Sequence, residues 1–309
     1  MAETERKPRI VSLDMFRGFA IFGMILVNYL GHFESMPDTF RHPRYGMSFA
    51  NAVAPYFLFA VGMGLRMSLA RRIEKTGKKA AYMHAIKRYL VLILLGMILY
   101  GAGMKTGEWK QLLRMDMWDA LVDIGFAGLI TLPFILTGKT TRIAIAFGLL
   151  IVYQLLFAFT GYGAWSMPNS IDGGPLGPIS WASILVFGTI QMDYLRECQP
   201  NDFIRKSLIL GITLLIVGLG LSYLHPKEIW EFSQRSMTIA YPIFASGLSV
   251  LTYLVFYMAA DRWKWKIPHM ATLGINPLVI YVLQQVLIHF FGGYTLEMRH
   301  SGRPPWDLW

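Results

Sequence analysis

Long apolar segments recur along the whole chain, and they constrain its fold more than any other feature. Of the 309 residues, 54% are hydrophobic and only 16% are charged, whereas soluble domains carry about 25% charged residues. Most of the segments approach the ~20 residues that a helix needs to cross the hydrocarbon core of a bilayer. The sequence therefore predicts an all-α integral membrane protein, a polytopic helical bundle that forms one domain over residues 1–309.

We predict nine or ten transmembrane helices with the N-terminus in the cytoplasm. In this orientation 18 Lys and Arg residues fall in inner segments and nine in outer segments, as the positive-inside rule requires. Membrane anchoring then explains the net charge of +10, and nucleic acid is not expected as a partner. The nine clearest segments are 12–31, 48–69, 87–104, 117–137, 142–160, 179–194, 207–224, 237–260 and 270–292.

Several site classes are disfavoured by the composition. The single cysteine, Cys198, excludes an internal disulfide, and no Cys and His spacing resembles a zinc site. No small-residue cleavage site follows the basic N-terminal residues, so we expect the first apolar segment to be retained. The Gly/Pro-rich outer segment 159–181 is either an ordered lid or a flexible connector, and the connector is slightly favoured.

Polar residues inside the first predicted helix indicate a candidate functional site, because charged side chains are expensive in hydrocarbon. Asp14, Arg17 and Asn28 lie within about 60° of one another around the helix axis and form a stripe about 21 Å long. One interpretation is structural, with Asp14 and Arg17 paired at the inner interface and Asn28 joining helices. The other is a polar path across the membrane.

Three groups that can handle a proton or an acyl oxygen are predicted at the outer side, namely His42, Asn51 and Asn28. A neutral imidazole is a natural general base near neutral pH, although a lone loop histidine is more often a bystander. His32 is also close to Asn28 and is the rival candidate for the catalytic role.

Two later helices carry further polar faces. Asp116, Asp119 and Asp123 share one face of the fourth predicted helix, where they would orient a histidine, pair with Arg114 or carry protons. The ninth predicted helix contains Pro277, which is expected to kink it. Its polar residues form either a structural seam or part of a site, and they are Asn276, Tyr281, Gln284, Gln285 and His289.

Several stretches occur in an order that is typical of one membrane acyltransferase family. They are RIVSLDMFRGFAIFGMILVNYLG, RHPRYGMSFANAVAPYFLFAVGMGLRMSL, DALVDIGF, PKEIWEFSQRSMTIAYPIFASGL and LGINPLVIY. Together they resemble the heparan-α-glucosaminide N-acetyltransferase catalytic domain family from Arg9 to about Phe291. The first stretch alone is moderately specific, whereas the ordered set is much more so.

The resemblance implies transfer of an acetyl group from cytosolic acetyl-CoA to an acceptor on the far side of the membrane. It aligns the histidine of the family with His42 and the asparagine of its V-N-Y motif with Asn28. The other motif residues that it carries over are Asp14, Arg17, Asn276 and Tyr281, which we assign to the acetyl-CoA site.

The chain departs from the family pattern at four places. Pro-Arg-Tyr-Gly at 43–46 stands where the family has Trp-Asn-Gly. Asn51 replaces an aspartate, Asp123 a basic residue, and Gln284 a histidine that often follows the late tyrosine. These departures leave the acceptor open.

The predicted topology suits this chemistry. Basic residues near the inner surface would meet the CoA phosphates, while the pantetheine arm reaches outwards. His42 would deprotonate an acceptor amine or hydroxyl, or accept the acetyl group itself. Asn28 or Asn51 would donate to the developing oxyanion, and no metal is required. The inner basic residues are Arg17, Arg66, Arg71 and Arg72.

Two other functions stay open at this stage. A multi-pass transporter of a small solute or lipid-linked sugar would use the same polar path, and a non-catalytic membrane subunit would use the polar seam for assembly. For the enzyme, we expect an outer-face sugar or glycan as acceptor, contact with membrane lipids, and a homodimer by resemblance alone. The compact chain favours a bacterial inner membrane.

Overall fold

The structure, a computed structural model of the protein, describes residues 9–30, 36–101, 118–166 and 172–287. Within these ranges the regular elements are helices and no strand occurs, which confirms the all-α fold. The α-helices are α1 (Val11–Leu30), α2 (Phe49–Thr76), α3 (Lys78–Gly101), α4 (Ala120–Thr131), α5 (Lys139–Phe159), α6 (Tyr162–Ser166), α7 (Gly177–Glu197), α8 (Pro200–Leu221), α9 (Ala240–Tyr257), α10 (Pro268–Ile275) and α11 (Pro277–Leu287).

Six of the described helices are long and apolar enough to cross a membrane, namely α1, α2, α3, α5, α8 and α9 with its extension to Arg262. A bent pair, α10 and α11, makes a seventh span if it counts as one. The predicted fourth segment is a shorter apolar helix, Ala120–Phe134, and the predicted sixth corresponds to α7. An integral membrane protein is supported, whereas the count of nine and the orientation stay predictions.

The central helix of the bundle is α7, which packs against α2, α4, α5 and α9. It is buried along most of its length and carries polar side chains. Gln191, for example, donates to Ser207 Oγ at 2.9 Å. Such residues lower the hydropathy of α7, because a helix surrounded by protein has no need of a lipid-compatible surface.

Glycines allow α2 and α7 to touch through their backbones. A Cβ added at Gly62 would lie 2.0 Å from the carbonyl oxygen of Leu185, and one at Gly188 would lie 2.1 Å from that of Phe59. Small residues at such crossings are typical of membrane helices, which associate mainly by close packing. This contact packs the middle of α2 directly against α7.

The last described helices form a sharp bend within the predicted segment 270–292. The angle between α10 and α11 is 86°, and the break follows Asn276, immediately before Pro277, where a kink was expected. α10 crosses α1 closely, since a Cβ at Gly274 would lie 1.8 Å from the Asp14 carbonyl oxygen. The bend directs α11 towards the cavities described below.

An ion cluster connects α2, α5 and α7. Asp193 accepts from Arg66 Nε at 2.7 Å through one oxygen and from Arg142 through the other. Arg142 is 1% exposed and also donates to Thr189 Oγ1 at 2.7 Å. Burial of a charge is tolerated only when it is paired and hydrogen-bonded, and these contacts meet that condition.

Candidate active site

The loop before α2 is folded back over the first turn of that helix. Ser48 caps α2 by accepting from the Asn51 backbone N–H at 3.2 Å, a common role for serine at this position. The same hydroxyl donates to the carbonyl oxygen of Arg41 at 2.9 Å. These bonds bring His42 to Asn51, with 2.7 Å between imidazole Nδ1 and amide Oδ1.

The orientation of the Asn51 amide determines the tautomer of His42. Asn51 Nδ2 donates to the Pro43 carbonyl oxygen at 3.4 Å, so Oδ1 is the atom that faces the imidazole. Because a carbonyl oxygen only accepts, Nδ1 of His42 carries the proton and Nε2 is the basic nitrogen of the neutral ring. Asn51 is 1% exposed, and Tyr241 donates to its carbonyl oxygen at 2.5 Å.

A cavity of about 590 Å³, which we name the outer cavity, collects four of the predicted site residues. They are Asn28 from α1, His42 from the loop, Asn51 from α2 and Tyr281 from α11. These residues are far apart in sequence, and the bend before α11 is what brings Tyr281 to the others. The cavity is also lined by Arg41, Asp119, Asp172, Gln234, Arg235 and Gln285.

Two carboxyl groups form an acidic wall in the outer cavity. Asp119 caps α4 and accepts from the Ala120 backbone N–H at 2.5 Å. Asp172 accepts from Gln234 Nε2 at 2.6 Å. Burial raises the pKa of the Asp172 carboxyl to about 7. The neighbouring Asp119 charge contributes to the rise at Asp172, and the Gln234 hydrogen bond and Arg235 oppose it.

The segment that carries Asp172 is ordered and packed, so the prediction of a flexible connector is wrong for its described part. Trp181 Nε1 donates to the Asp172 carbonyl oxygen at 3.0 Å, and Tyr162 donates to that of Gly173 at 2.5 Å. Gly173 N–H donates to the Arg235 carbonyl oxygen at 3.0 Å. Its φ of 84° lies in the region that favours glycine.

A second cavity of about 320 Å³, the basic-mouthed cavity, adjoins the outer cavity. The two share Met24, Ala120 and Tyr281 as lining residues. Most of its wall is apolar, and its polar side chains include three successive basic groups on one face of α3, His84, Lys87 and Arg88. The two cavities are therefore neighbours, with basic side chains on the wall of one and the His42–Asn51 pair on the wall of the other.

Most of the residues predicted to bind acetyl-CoA lie elsewhere. Arg17 donates to the Ala60 carbonyl oxygen at 3.3 Å and lies 3.8 Å from the Asp14 carboxylate. Arg66 belongs to the ion cluster with Asp193. Of the predicted acetyl-CoA residues only Tyr281 lines a described cavity; those that line neither are Asp14, Arg17, Arg66, Arg71, Arg72 and Asn276.

Tyr281 lies where the two cavities meet, and its hydroxyl is held on both sides. It lies 2.9 Å from the Tyr100 hydroxyl and accepts from Gln285 Nε2 at 3.0 Å. Tyr281 is 5% exposed. Its ring therefore has a fixed position between the cavities.

Comparison with known proteins identifies the family of the chain. The sequence model of the family described as "Heparan-alpha-glucosaminide N-acetyltransferase, catalytic" matches residues 9–174, more than half of the chain. The chain belongs to this family. Human heparan-alpha-glucosaminide N-acetyltransferase is 27% identical over 153 residues, which are 49% of this chain. The matched region amounts to 20% of the human protein.

The match confirms the family that the sequence motifs resembled. It covers the N-terminal part of the chain and ends at residue 174. The matched part of this heparan-α-glucosaminide N-acetyltransferase family member includes α1 to α6 with His42, Asn51, Asp119 and Asp172. Gln234 and Tyr281, which also line the outer cavity, follow residue 174 and lie outside the matched part. Among the described residues, no group of three His, Cys, Asp or Glu side chains is placed to hold a metal ion.

Sequence reasoning did not select several cavity residues of this family member. The predicted acidic face contained Asp119, with three alternative roles left open and no place in the predicted site. Asp172 had only one signal, an isolated acid in a Gly/Pro-rich segment, and Gln234 lay unremarked in one of the stretches that resemble the family. Lys87 and Arg88 were counted as ordinary positive-inside charges, and His84 was not considered. His32, Arg114, Asp116 and His289 lie outside the described residues.

Proposed function

We propose that the protein is a transmembrane acetyltransferase that moves an acetyl group from cytosolic acetyl-CoA to a sugar or glycan on the outer face. The observation that carries this proposal is the placement of the His42–Asn51 pair and Asn28 in one cavity. That cavity adjoins a second one with a basic mouth. Family membership supports the same reaction.

The basic-mouthed cavity fits the donor. Lys87 and Arg88 supply positive charge for the CoA phosphates, His84 is a further hydrogen-bonding group beside them, and the apolar wall fits the pantetheine arm. The thioester would then reach the shared residues Met24, Ala120 and Tyr281. The phosphate-binding role predicted for Arg71 and Arg72 of α2 thus passes to basic residues of α3. The CoA phosphates are still proposed to bind at the cytoplasmic side.

His42 supplies the acid–base chemistry of the transfer. Its Nε2 takes a proton as the acceptor amine or hydroxyl attacks the thioester carbonyl, and returns a proton to the departing CoA sulfur. Alternatively, Nε2 attacks first and carries the acetyl group to the acceptor. Asn28 would donate to the oxyanion, a contact worth about 2.7–4 kcal/mol in other enzymes. Asn51 would hold the ring in the reactive tautomer.

A transporter is the second candidate, and one observation favours it. Discontinuous helices are typical of substrate sites in secondary transporters, and α10 and α11 form such a broken pair beside both cavities. A transporter would move solute across sealed vesicles without consuming acetyl-CoA. A homodimer in a bacterial inner membrane remains our expectation for either function.

The test begins with acetyl-CoA binding to the purified protein in detergent, measured by calorimetry and thermal shift. We expect saturable binding that weakens at least about tenfold, or 1.4 kcal/mol, when Lys87→Ala and Arg88→Ala are combined. Lys79→Ala, an exposed lysine on the same helix that lines neither cavity, is the matched control and should bind as the wild type does.

The second part of the test separates binding from chemistry. His42→Ala should keep the acetyl-CoA affinity and lose acetyl transfer to glucosaminide acceptors by about 10²-fold or more. Failure of the folded wild-type protein to bind acetyl-CoA would contradict the acetyltransferase and bring the transporter forward. Equal binding by the Lys87/Arg88 double variant would reject the donor cavity alone.

A further inference from the structure

Gln234 holds Asp172 at the wall of the outer cavity. Its Nε2 donates to Asp172 Oδ1 at 2.6 Å, and both side chains line the cavity. Gln234 is 8% exposed, and its Oε1 has no hydrogen-bond partner among the described residues. A buried acceptor without a donor is unfavourable, and a ligand N–H or O–H group would supply the missing hydrogen bond.

Asp119 strengthens the negative field at this place. It lines the same cavity, and its charge acts on Asp172. One turn deeper on α4, Asp123 is 2% exposed and both its carboxyl oxygens lack partners among the described residues. Three carboxyls that are close and poorly solvated cannot all be ionised, so the group as a whole stores protons.

The proposed acetyl transfer creates a need for such a store when the acceptor is an amine. An amine is an ammonium ion near neutral pH, and it loses two protons when it becomes an amide. The departing CoA sulfur takes one of these protons, and the other has to leave the site. A hydroxyl acceptor loses a single proton, for which His42 is sufficient.

We propose that Asp172, oriented by Gln234, is a second catalytic base that binds the acceptor as an ammonium ion and removes its first proton. The inference rests on the acetyl transfer proposed above, and it selects an amine over a hydroxyl acceptor. Gln234 Oε1, which has no partner among the described residues, accepts a hydrogen bond from the ammonium nitrogen of the acceptor. Asp119 makes the wall attractive to a cation, while His42 faces the cavity from the loop before α2.

The proposed steps balance. Asp172 carboxylate takes one proton from R–NH₃⁺, and the resulting amine nitrogen forms a bond to the thioester carbon. The C–S bond breaks as the tetrahedral intermediate collapses. The second proton leaves nitrogen through His42 Nε2 and reaches the CoA thiolate, which departs as the thiol. The proton on Asp172 is then released to the outer side, and the site returns to its starting state.

The surroundings of Asp172 allow it to work near neutral pH. Burial raises its pKa to about 7, and a base works best with a pKa near the operating pH. Charged and titratable groups face it from each neighbouring element: Asp119 and Asp123 of α4, Arg235 next to Gln234, Tyr241 of α9, Tyr281 of α11, and Arg41 and His42 across the cavity.

Two acceptors test, in the full chain, whether Asp172 removes the first proton and His42 the second. Methyl glucosaminide is an ammonium ion at neutral pH, whereas hydroxylamine is uncharged and needs no first deprotonation. We expect Asp172→Asn to lower kcat for methyl glucosaminide about 10²-fold at pH 7 and to change the hydroxylamine rate less than about threefold. Glu228→Gln, at an exposed carboxylate that lines neither cavity, should leave both rates unchanged.

The pH dependence of the rate is a second, independent test. Asp119→Asn removes a charge that raises the pKa of Asp172, so the acid limb of the glucosaminide profile should move to lower pH.

An equal loss of rate with both acceptors in Asp172→Asn would indicate a structural role and overturn the proposal, as would an unchanged glucosaminide rate. Wild-type protein that acetylates hydroxylamine and no amino sugar would also overturn it, while the acetyl transfer would stand. Wild-type protein that neither binds acetyl-CoA nor acetylates hydroxylamine would instead contradict the proposed function.

Discussion

At the scale of single residues, the polar side chains of the outer cavity have been placed where they cost stability. Asp172 is 6% exposed, and the pKa of its carboxyl lies near 7 where an unperturbed aspartate has 3.8. Its contribution to the free energy of unfolding is fully present below about pH 3.8. It is lost progressively as the pH rises to about 7, because the unfolded chain ionises more readily.

We therefore expect Asp172→Asn to be more stable than the wild type by an amount that grows with pH. Between pH 5 and pH 7 the gain should increase by on the order of 2 kcal/mol and then level off. Thermal unfolding in detergent at pH 5, 7 and 8 measures it, with Glu228→Gln as the exposed control. A difference that is constant over this range would show that the Asp172 carboxyl titrates normally.

The pair of His42 and Asn51 shows what sequence could predict about the site. The residue types and the family motif singled out both residues, and the structure places them 2.7 Å apart. The motif could not indicate that Asp172 and Gln234 lie in the same cavity. Their contact joins positions 62 residues apart, and Trp181 and Tyr162 hold the backbone of the segment that carries Asp172.

At the scale of helices, apolar periodicity predicted where helices occur better than how they end or bend. Segments 12–31 and 142–160 correspond to α1 and α5 within a few residues, because both helices are long and apolar enough to cross a bilayer. α7 was the weakest of the predicted helices because its surroundings are protein, which tolerates polar residues. The length and direction of α11 depend on contacts with other helices that no local pattern encodes.

The crossing of α2 and α7 provides the prediction at this scale. Gly188→Ala would place a Cβ 2.1 Å from the Phe59 carbonyl oxygen, so the helices would have to separate. We expect a loss of ~1–3 kcal/mol in stability, as for overpacked cores, and a lower acetyl-transfer rate, since α2 carries Asn51. Thermal unfolding and acetyl transfer measure the two effects.

Gly148→Ala is the matched control, because a Cβ there meets nothing within 4 Å. Alanine should stabilise α5 at this position by about 0.5–1 kcal/mol, since glycine loses more conformational freedom on folding. A Gly188→Ala variant that unfolds at the wild-type temperature would mean that the two helices can move apart without cost.

At the scale of the whole molecule, the proposed function depends on sidedness. The basic-mouthed cavity must open to the cytoplasm, where acetyl-CoA is available, and the outer cavity must open to the opposite side. The positive-inside count predicts this orientation. It also predicts that Cys198, at the end of α7 and 3.3 Å from Lys206 Nζ, lies on the cytoplasmic side, whereas Tyr45 next to the His42 loop lies outside.

Labelling of intact cells with a membrane-impermeant maleimide tests the orientation. The wild-type protein, whose single cysteine is Cys198, should label only after the membrane is opened. Tyr45→Cys in a Cys198→Ser background should label in intact cells, because Tyr45 is 60% exposed. The reverse pattern would put the His42–Asn51 pair on the cytoplasmic side. Acetyl-CoA would then meet the acidic wall before the basic residues of α3, and the assignment of donor and acceptor cavities would have to be exchanged.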